Sequence, residues 1–144
     1  MEYKKYFTLL QDEIGAAVFS TVDNEGLPQA RYINVGVGNE KGIFFMTSPK
    51  TDFYQQLEAK PEVSITGMAK SEKGIEVIRV SGSIRKVGKE HLKEILKDNP
   101  YVNDVYADEA DQQSVQAFQM FKGQGKYQHL QNKIVEHFEF EVKD

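Results

Sequence analysis

The 144-residue sequence contains no cysteine. That excludes disulfides, thiol nucleophiles, iron–sulfur clusters and Cys-ligated zinc, and it fits a reducing compartment. Long apolar runs are also missing. Behind Met1-Glu2-Tyr3-Lys4-Lys5-Tyr6, the acids Asp12 and Glu13 interrupt any stretch of signal-peptide length, so a cytoplasmic protein with no membrane association is expected. There is no surplus of positive charge: 18 Lys+Arg against 22 Asp+Glu give −4. This argues against a general nucleic-acid binder, whose affinity comes largely from phosphate neutralisation, while leaving room for one small basic pocket. Several catalytic signatures are absent. His91, His129 and His137 lack metal-site spacing and read as surface or satisfied core residues, so no metal is expected. Gly-x-Ser-x-Gly does not occur, and Gly36-x-Gly38 lacks the third glycine of a dinucleotide fingerprint. Gly123-Gln124-Gly125 lacks the Lys-Ser/Thr of a phosphate-binding loop and reads as a flexible turn. No side-chain set stands out as catalytic, so an enzyme built on this chain would need a cofactor for the hard chemistry.

What is present is 40% hydrophobic and 28% charged residues, with nine Phe and seven Tyr, the composition of a globular domain. Tyr3, Tyr6, Phe7, Leu10 and Ile14 recur at helical spacing and predict a helix over 2–14 that Gly15 ends. Strands follow at Ala16–Val22, Pro28–Val37 and Ile43–Thr47, separated by turns at Asp23–Gly26 and Gly38–Gly42. Ser48-Pro49 looks like an N-cap followed by a first-turn proline, opening a helix through Phe53, Tyr54 and Leu57. Val63–Met68 and Ile75–Val87 read as strands, and Lys89–Lys97 as a helix stopped by Asn99-Pro100. The acids Asp104, Asp108, Glu109 and Asp111 suggest a solvated loop or helix start. A helix is expected through Val115, Phe118 and Phe121, and a last strand over His137–Val142. Six strands joined mostly by hairpins, with peripheral helices, predict a mainly β protein, an antiparallel barrel, closed or partly closed, as one domain over 1–144.

Two features point to an anion. Arg31 lies mid-strand between Ala30 and Tyr32, where it is either a cation on a wet strand face or a guanidinium aimed at a phosphate. Thr47-Ser48-Pro49-Lys50-Thr51 joins a strand end to a helix start, which gathers three hydroxyls, an ammonium and free backbone amides; the plainer alternative is a capped helix with a surface lysine. In this topology the two belong to neighbouring hairpin strands and could share one phosphate. Arg79 and Arg85 fall on one polar face of the fifth strand with Val77, Ser81 and Ser83, facing solvent or a subunit interface; solvent is the simpler expectation.

The runs Ala17–Arg31, Gly42–Ser48 with Lys50, Pro61–Ile65 and Val80–Ile84 together resemble the pyridoxamine 5'-phosphate oxidase-like FMN-binding split barrels. The order and spacing of the set carry the likeness, over about residues 5–90. It implies a six-stranded, Greek-key-like split β-barrel that forms a homodimer with FMN at the subunit interface. Arg31 and Lys50 would then hold the phosphate, with Ser48 and Thr51 as hydroxyl partners. Tyr32, Ile33 and Asn34, with Met46 and Thr47, would lie along the flavin ring. The family's Arg-Gln pair before the fifth strand is replaced by Glu76-Val77, and its C-terminal arginine segment is absent from Phe138–Asp144. Vitamin B6 oxidation is therefore not expected. The small general-stress and nitroimidazole-resistance-like members are nearer in length. The resemblance implies a flavin-dependent oxidoreductase acting on a small organic substrate. Its alternatives are a non-catalytic flavin-binding stress protein, or a split barrel holding haem or the deazaflavin F420.

Overall fold

Alternation of apolar and polar residues decides which way each strand faces. In Ala16–Val22 (β1), Ala17, Phe19 and Thr21 are buried and their neighbours are not. A computed structural model describes residues 2–88, 90–91 and 114–143. A helix over Lys4–Leu9 (α1) runs into a π-helical turn at Leu10–Ile14, ended by Gly15 at φ 70°. After β1 come Pro28–Asn34 (β2), Val37–Asn39 (β3), Gly42–Thr47 (β4), a helix over Asp52–Ala59 (α2), Glu62–Ser71 (β5) and Gly74–Val87 (β6). Gln116–His129 (β7) and Ile134–Glu141 (β8) complete the described chain.

All pairings are antiparallel, in the order β2-β1-β5-β6-β7-β4-β3, and β8 adds to β7. The strands at the two ends of this order, β2 and β3, are separated in sequence by only Val35 and Gly36. Three peptide steps span at most about 11 Å, so the sheet must curl until its ends nearly meet. Val35 N donates to Gly15 O at 2.7 Å and Gly36 N to Phe44 O at 2.9 Å, so adjacent amides serve opposite ends of the sheet. Rings from distant strands meet inside: Phe19 of β1 and Phe45 of β4 lie 4.9 Å apart, edge to face, and Phe45 stacks on Phe118 of β7 at 5.6 Å. Phe7, Leu10, Ile65, Ile78 and Met120 close the same core. Each such side chain contributes roughly 1.5–3 kcal/mol of burial free energy. Val37, Phe44, Met46, Val115 and Ala117 form a smaller cluster on the other side of β4 and β7. No helix among the described residues is long and apolar enough to cross a membrane.

The mainly β split barrel is as expected, with eight strands among the described residues in place of six. The strand expected over Pro28–Val37 is two strands, broken where the chain changes sheet edge. The expected helix through Val115, Phe118 and Phe121 and the turn at Gly123–Gly125 are wrong: 116–129 is one continuous strand. The helix expected over Lys89–Lys97 lies outside the described residues except for Glu90 and His91, which are helical; the acidic stretch Asp104–Asp111 lies wholly outside them. The glycines of β7 serve close packing rather than flexibility. A Cβ on Gly123 would stand 2.2 Å from Ser81 O, and one on Gly125 would stand 2.2 Å from the Phe138 ring. Gly125→Ala should therefore destabilise the protein by about 1–3 kcal/mol in urea denaturation, as overpacking does. A flexible turn there would leave stability unchanged.

Candidate functional site

The start of α2 is set by hydroxyls. Thr51 is the N-cap, at φ −90° and ψ 153°, and its Oγ1 accepts from Tyr54 N at 3.1 Å. The same hydroxyl donates to Ser48 O at 2.9 Å and lies 2.9 Å from the buried Thr47 Oγ1. Ser48, expected as the cap, instead accepts Lys50 N at 3.2 Å within the turn that precedes the helix. Lys50 is exposed and Ser48 half-buried.

Arg31 points inward from β2, opposite Phe19 in register. Its guanidinium lies over the Phe53 ring of α2 at 4.6 Å. Nη1 donates to Thr21 Oγ1 at 2.7 Å and to Phe19 O at 3.2 Å, while Nη2 donates to Gln56 Oε1 at 2.8 Å. The Thr21 hydroxyl also donates to Gln56 Oε1. Burial lowers the pKa of this guanidinium, and the nearby Asp52 carboxylate opposes the shift; an arginine so placed keeps its charge. Arg31 and the 47–51 turn thus meet the two ends of the first turns of α2, and the helix, rather than a shared hairpin, brings them together. β2 and β4 are far apart in the strand order.

The other expected residues divide. Ile33 packs on the main core and Asn34 is half-buried. Tyr32 stands on the outer face, 75% exposed. Met46 is buried in the smaller cluster, and its side chain leaves the opposite side of β4 from that of Thr47. Phe53, Gln56 and Thr21 are the residues that reading the sequence missed. Thr21 carried a signal: it is a polar residue at a core-facing position of β1, two beyond Phe19.

Arg79 and Arg85 do not share one environment, because the β6–β7 register shifts between Ser83 and Ile84. Arg79 is exposed, whereas Arg85 Nε donates to Gln119 Oε1 at 2.9 Å and its guanidinium covers the Phe121 ring. The expectation for His129 holds: it is buried, with Nε2 at 2.8 Å from Lys73 O and Nδ1 accepting from Asn132 N at 3.3 Å. No cluster of three metal-ligating side chains occurs among the described residues. A cavity of about 1090 Å³ opens on the outer face and is lined by Ser64, Thr66, Arg79, Ser81 and Lys126, among others. None of the residues at α2 lines it.

The chemistry available at α2 is that of an anion site. One guanidinium is held rigidly by three acceptors, one ammonium is exposed, three hydroxyls lie close by, and the first helix amides lack intrahelical partners. Asp52, in the first turn, already complements part of that positive potential.

The family model described as pyridoxamine 5'-phosphate oxidase matches residues 4–128. No curated protein matches the chain. Among solved structures, a NimC/NimA family protein from Clostridium acetobutylicum is similar at 20% identity and a TM-score of 0.79, covering 97% of this chain and 94% of that one. General stress protein 26 from Bacillus anthracis is similar at 14% identity and a TM-score of 0.69, over 96% and 100% of the two chains. A heme binding protein from Mycobacterium smegmatis is similar at 14% identity and a TM-score of 0.70; this chain covers 53% of it, and the match takes in 88% of this chain.

The cap assignment has a direct consequence. Thr51→Ala should cost about 1 kcal/mol in thermal or urea unfolding. Ser48→Ala, by contrast, should stay within about 0.5 kcal/mol of wild type, as substitutions away from a cap do.

Proposed function

The chain belongs to the pyridoxamine 5'-phosphate oxidase family, and on that premise we propose that it is a homodimeric flavoprotein that holds FMN through the start of α2 and passes reducing equivalents to a small organic substrate. The observation that carries this reading is the pairing of a rigidly held Arg31 with the hydroxyl-rich turn at Thr47–Thr51, on either side of one helix start. A phosphate dianion suits that donor set, because a planar guanidinium, an ammonium and hydroxyls all donate and none needs to change charge. In this reading Arg31 and Lys50 neutralise the phosphate, Ser48 donates its hydroxyl to a phosphate oxygen, and Thr51 does the same when its hydroxyl turns from Ser48 O. Thr21 and Gln56 fix the guanidinium so that little side-chain entropy is lost on binding. Bound FMN supplies hydride or electron transfer, which no side chain of this chain provides.

The outer face supports a second copy. Across β2, β1, β5, β6, β7 and β8, register places Tyr32, Val18, Thr66, Arg79, Lys126 and His137 in one row. The exposed Met68 and Val135 flank it in the next row. A two-subunit site at this face would complete the flavin environment that one chain supplies only in part. Vitamin B6 oxidation is not favoured: Glu76, where the family has an arginine, is held by the Tyr127 hydroxyl at 2.7 Å. A haem reading would have to look beyond His129, whose two ring nitrogens are both engaged within the fold.

Arg31→Ala should weaken FMN binding by about tenfold to a hundredfold, the loss of a charge-assisted contact of roughly 1.5–3 kcal/mol. Titrating flavin fluorescence against wild type and variant measures it. Unchanged affinity, with wild type binding tightly, would remove Arg31 from the site.

A further inference from the structure

Residues 134, 136, 138 and 140 of β8 alternate onto one side of the sheet, the side that meets α1. Three of them are apolar: Ile134, Phe138 and Phe140. The fourth is Glu136. It lies directly opposite Tyr127 in the β7 register, and Glu76 of β6 stands diagonally across from that tyrosine, opposite His129. Two carboxylates therefore occupy half-buried positions on a face otherwise used for the core, where an unpaired charge is costly.

Each carboxylate is oriented by a phenol. The Tyr6 hydroxyl donates to Glu136 Oε1 at 2.6 Å, and the Tyr127 hydroxyl donates to Glu76 Oε2 at 2.7 Å. Burial and the adjoining carboxylates push both hydroxyls up, that of Tyr127 to about 12, so both remain donors at neutral pH. Among the described residues nothing donates to the remaining oxygens, Glu136 Oε2 and Glu76 Oε1. The two rings are 5.4 Å apart, and Tyr6 is backed by Phe138, stacked at 4.4 Å. Between α1 and the sheet these groups wall a cavity of about 350 Å³, which Leu9 and Ile134 line with aliphatic surface.

One cation already approaches it. Lys5 Nζ lies 5.0 Å from the centroid of the Tyr6 ring and 4.0 Å from Glu136 Oε1, and its side chain is 64% exposed. Both contacts are long, so the ammonium is loosely held. Aromatic faces, two fixed carboxylates and an aliphatic floor suit a cation with a short carbon chain. A divalent metal is a poorer match, since two carboxylates fall well short of six oxygen ligands.

We propose that this pocket between α1 and strands β6, β7 and β8 binds a small aliphatic amine in its ammonium form, and that Lys5 is the tethered cation such a ligand displaces. The proposal does not depend on flavin binding. Isothermal titration calorimetry at neutral pH with butylamine, and with 1-butanol as the uncharged control of similar shape, tests it on the full chain. Butylamine binding with no detectable butanol binding is expected. Glu136→Gln, checked for folding by circular dichroism, should weaken the amine at least about tenfold. Lys5→Ala, at an exposed position that does not threaten folding, should tighten it about two- to fivefold by removing the competitor. No butylamine binding to wild type and Lys5→Ala, equal affinity for amine and alcohol, or unchanged affinity in a folded Glu136→Gln would each overturn the assignment.

Discussion

The two-residue step from Asn34 to Val37 governs the architecture. It joins strands at opposite ends of the sheet order, so an open sheet of this connectivity cannot be flat. Curling brings Phe19 and Phe45 into contact across the interior and creates the space that α2 covers on one side and α1 on another. β7 makes the curl possible. Its first half pairs with β4, its second half with β8, and most of its length with β6. Such a strand is hemmed in by its neighbours, which leaves no room for a Cβ at Gly123, against the Ser81 backbone, or at Gly125, against the Phe138 ring.

The candidate cofactor site follows from the same curvature. Arg31 comes from one end of the sheet order and Thr47 from near the other, and α2 with its N-cap Thr51 meets both. The guanidinium is not simply buried. Phe53 covers one face, and Thr21, Gln56 and the Phe19 carbonyl engage three of its five N–H donors, so it is fixed in place while keeping its charge. This is the preorganisation that recognition of a phosphate requires.

Much of this was legible in the sequence, for physical reasons that differ from residue to residue. The β1–β2 hairpin was readable because Asp23 holds the amides of Glu25 and Leu27 while Gly26 takes φ 81°, and turn chemistry of that kind is local. The strand β7 was misread because Phe118 and Met120 bury into the main core while Val115 and Ala117 bury into the smaller cluster. Burial on both faces erases the two-residue alternation and leaves a spacing of three that imitates a helix. The cap lies at Thr51 rather than Ser48: two hydroxyls stand three residues apart, and it is Thr51, in extended backbone, whose hydroxyl accepts the Tyr54 amide. The roles of Thr21 and Gln56 were out of reach, since they depend on how α2 docks onto β1 and β2. Family resemblance named Arg31, Lys50, Ser48 and Thr51 together. The side-chain directions of Met46 and Tyr32 required the fold.

The central claim is that this split barrel carries FMN. The most direct measurement is the visible absorption spectrum of the purified protein after incubation with excess FMN and gel filtration. A retained isoalloxazine spectrum at about one flavin per chain is the predicted result, as expected for a specific site with a charge-assisted phosphate contact. A colourless protein that emerges without flavin, while remaining folded, would contradict it.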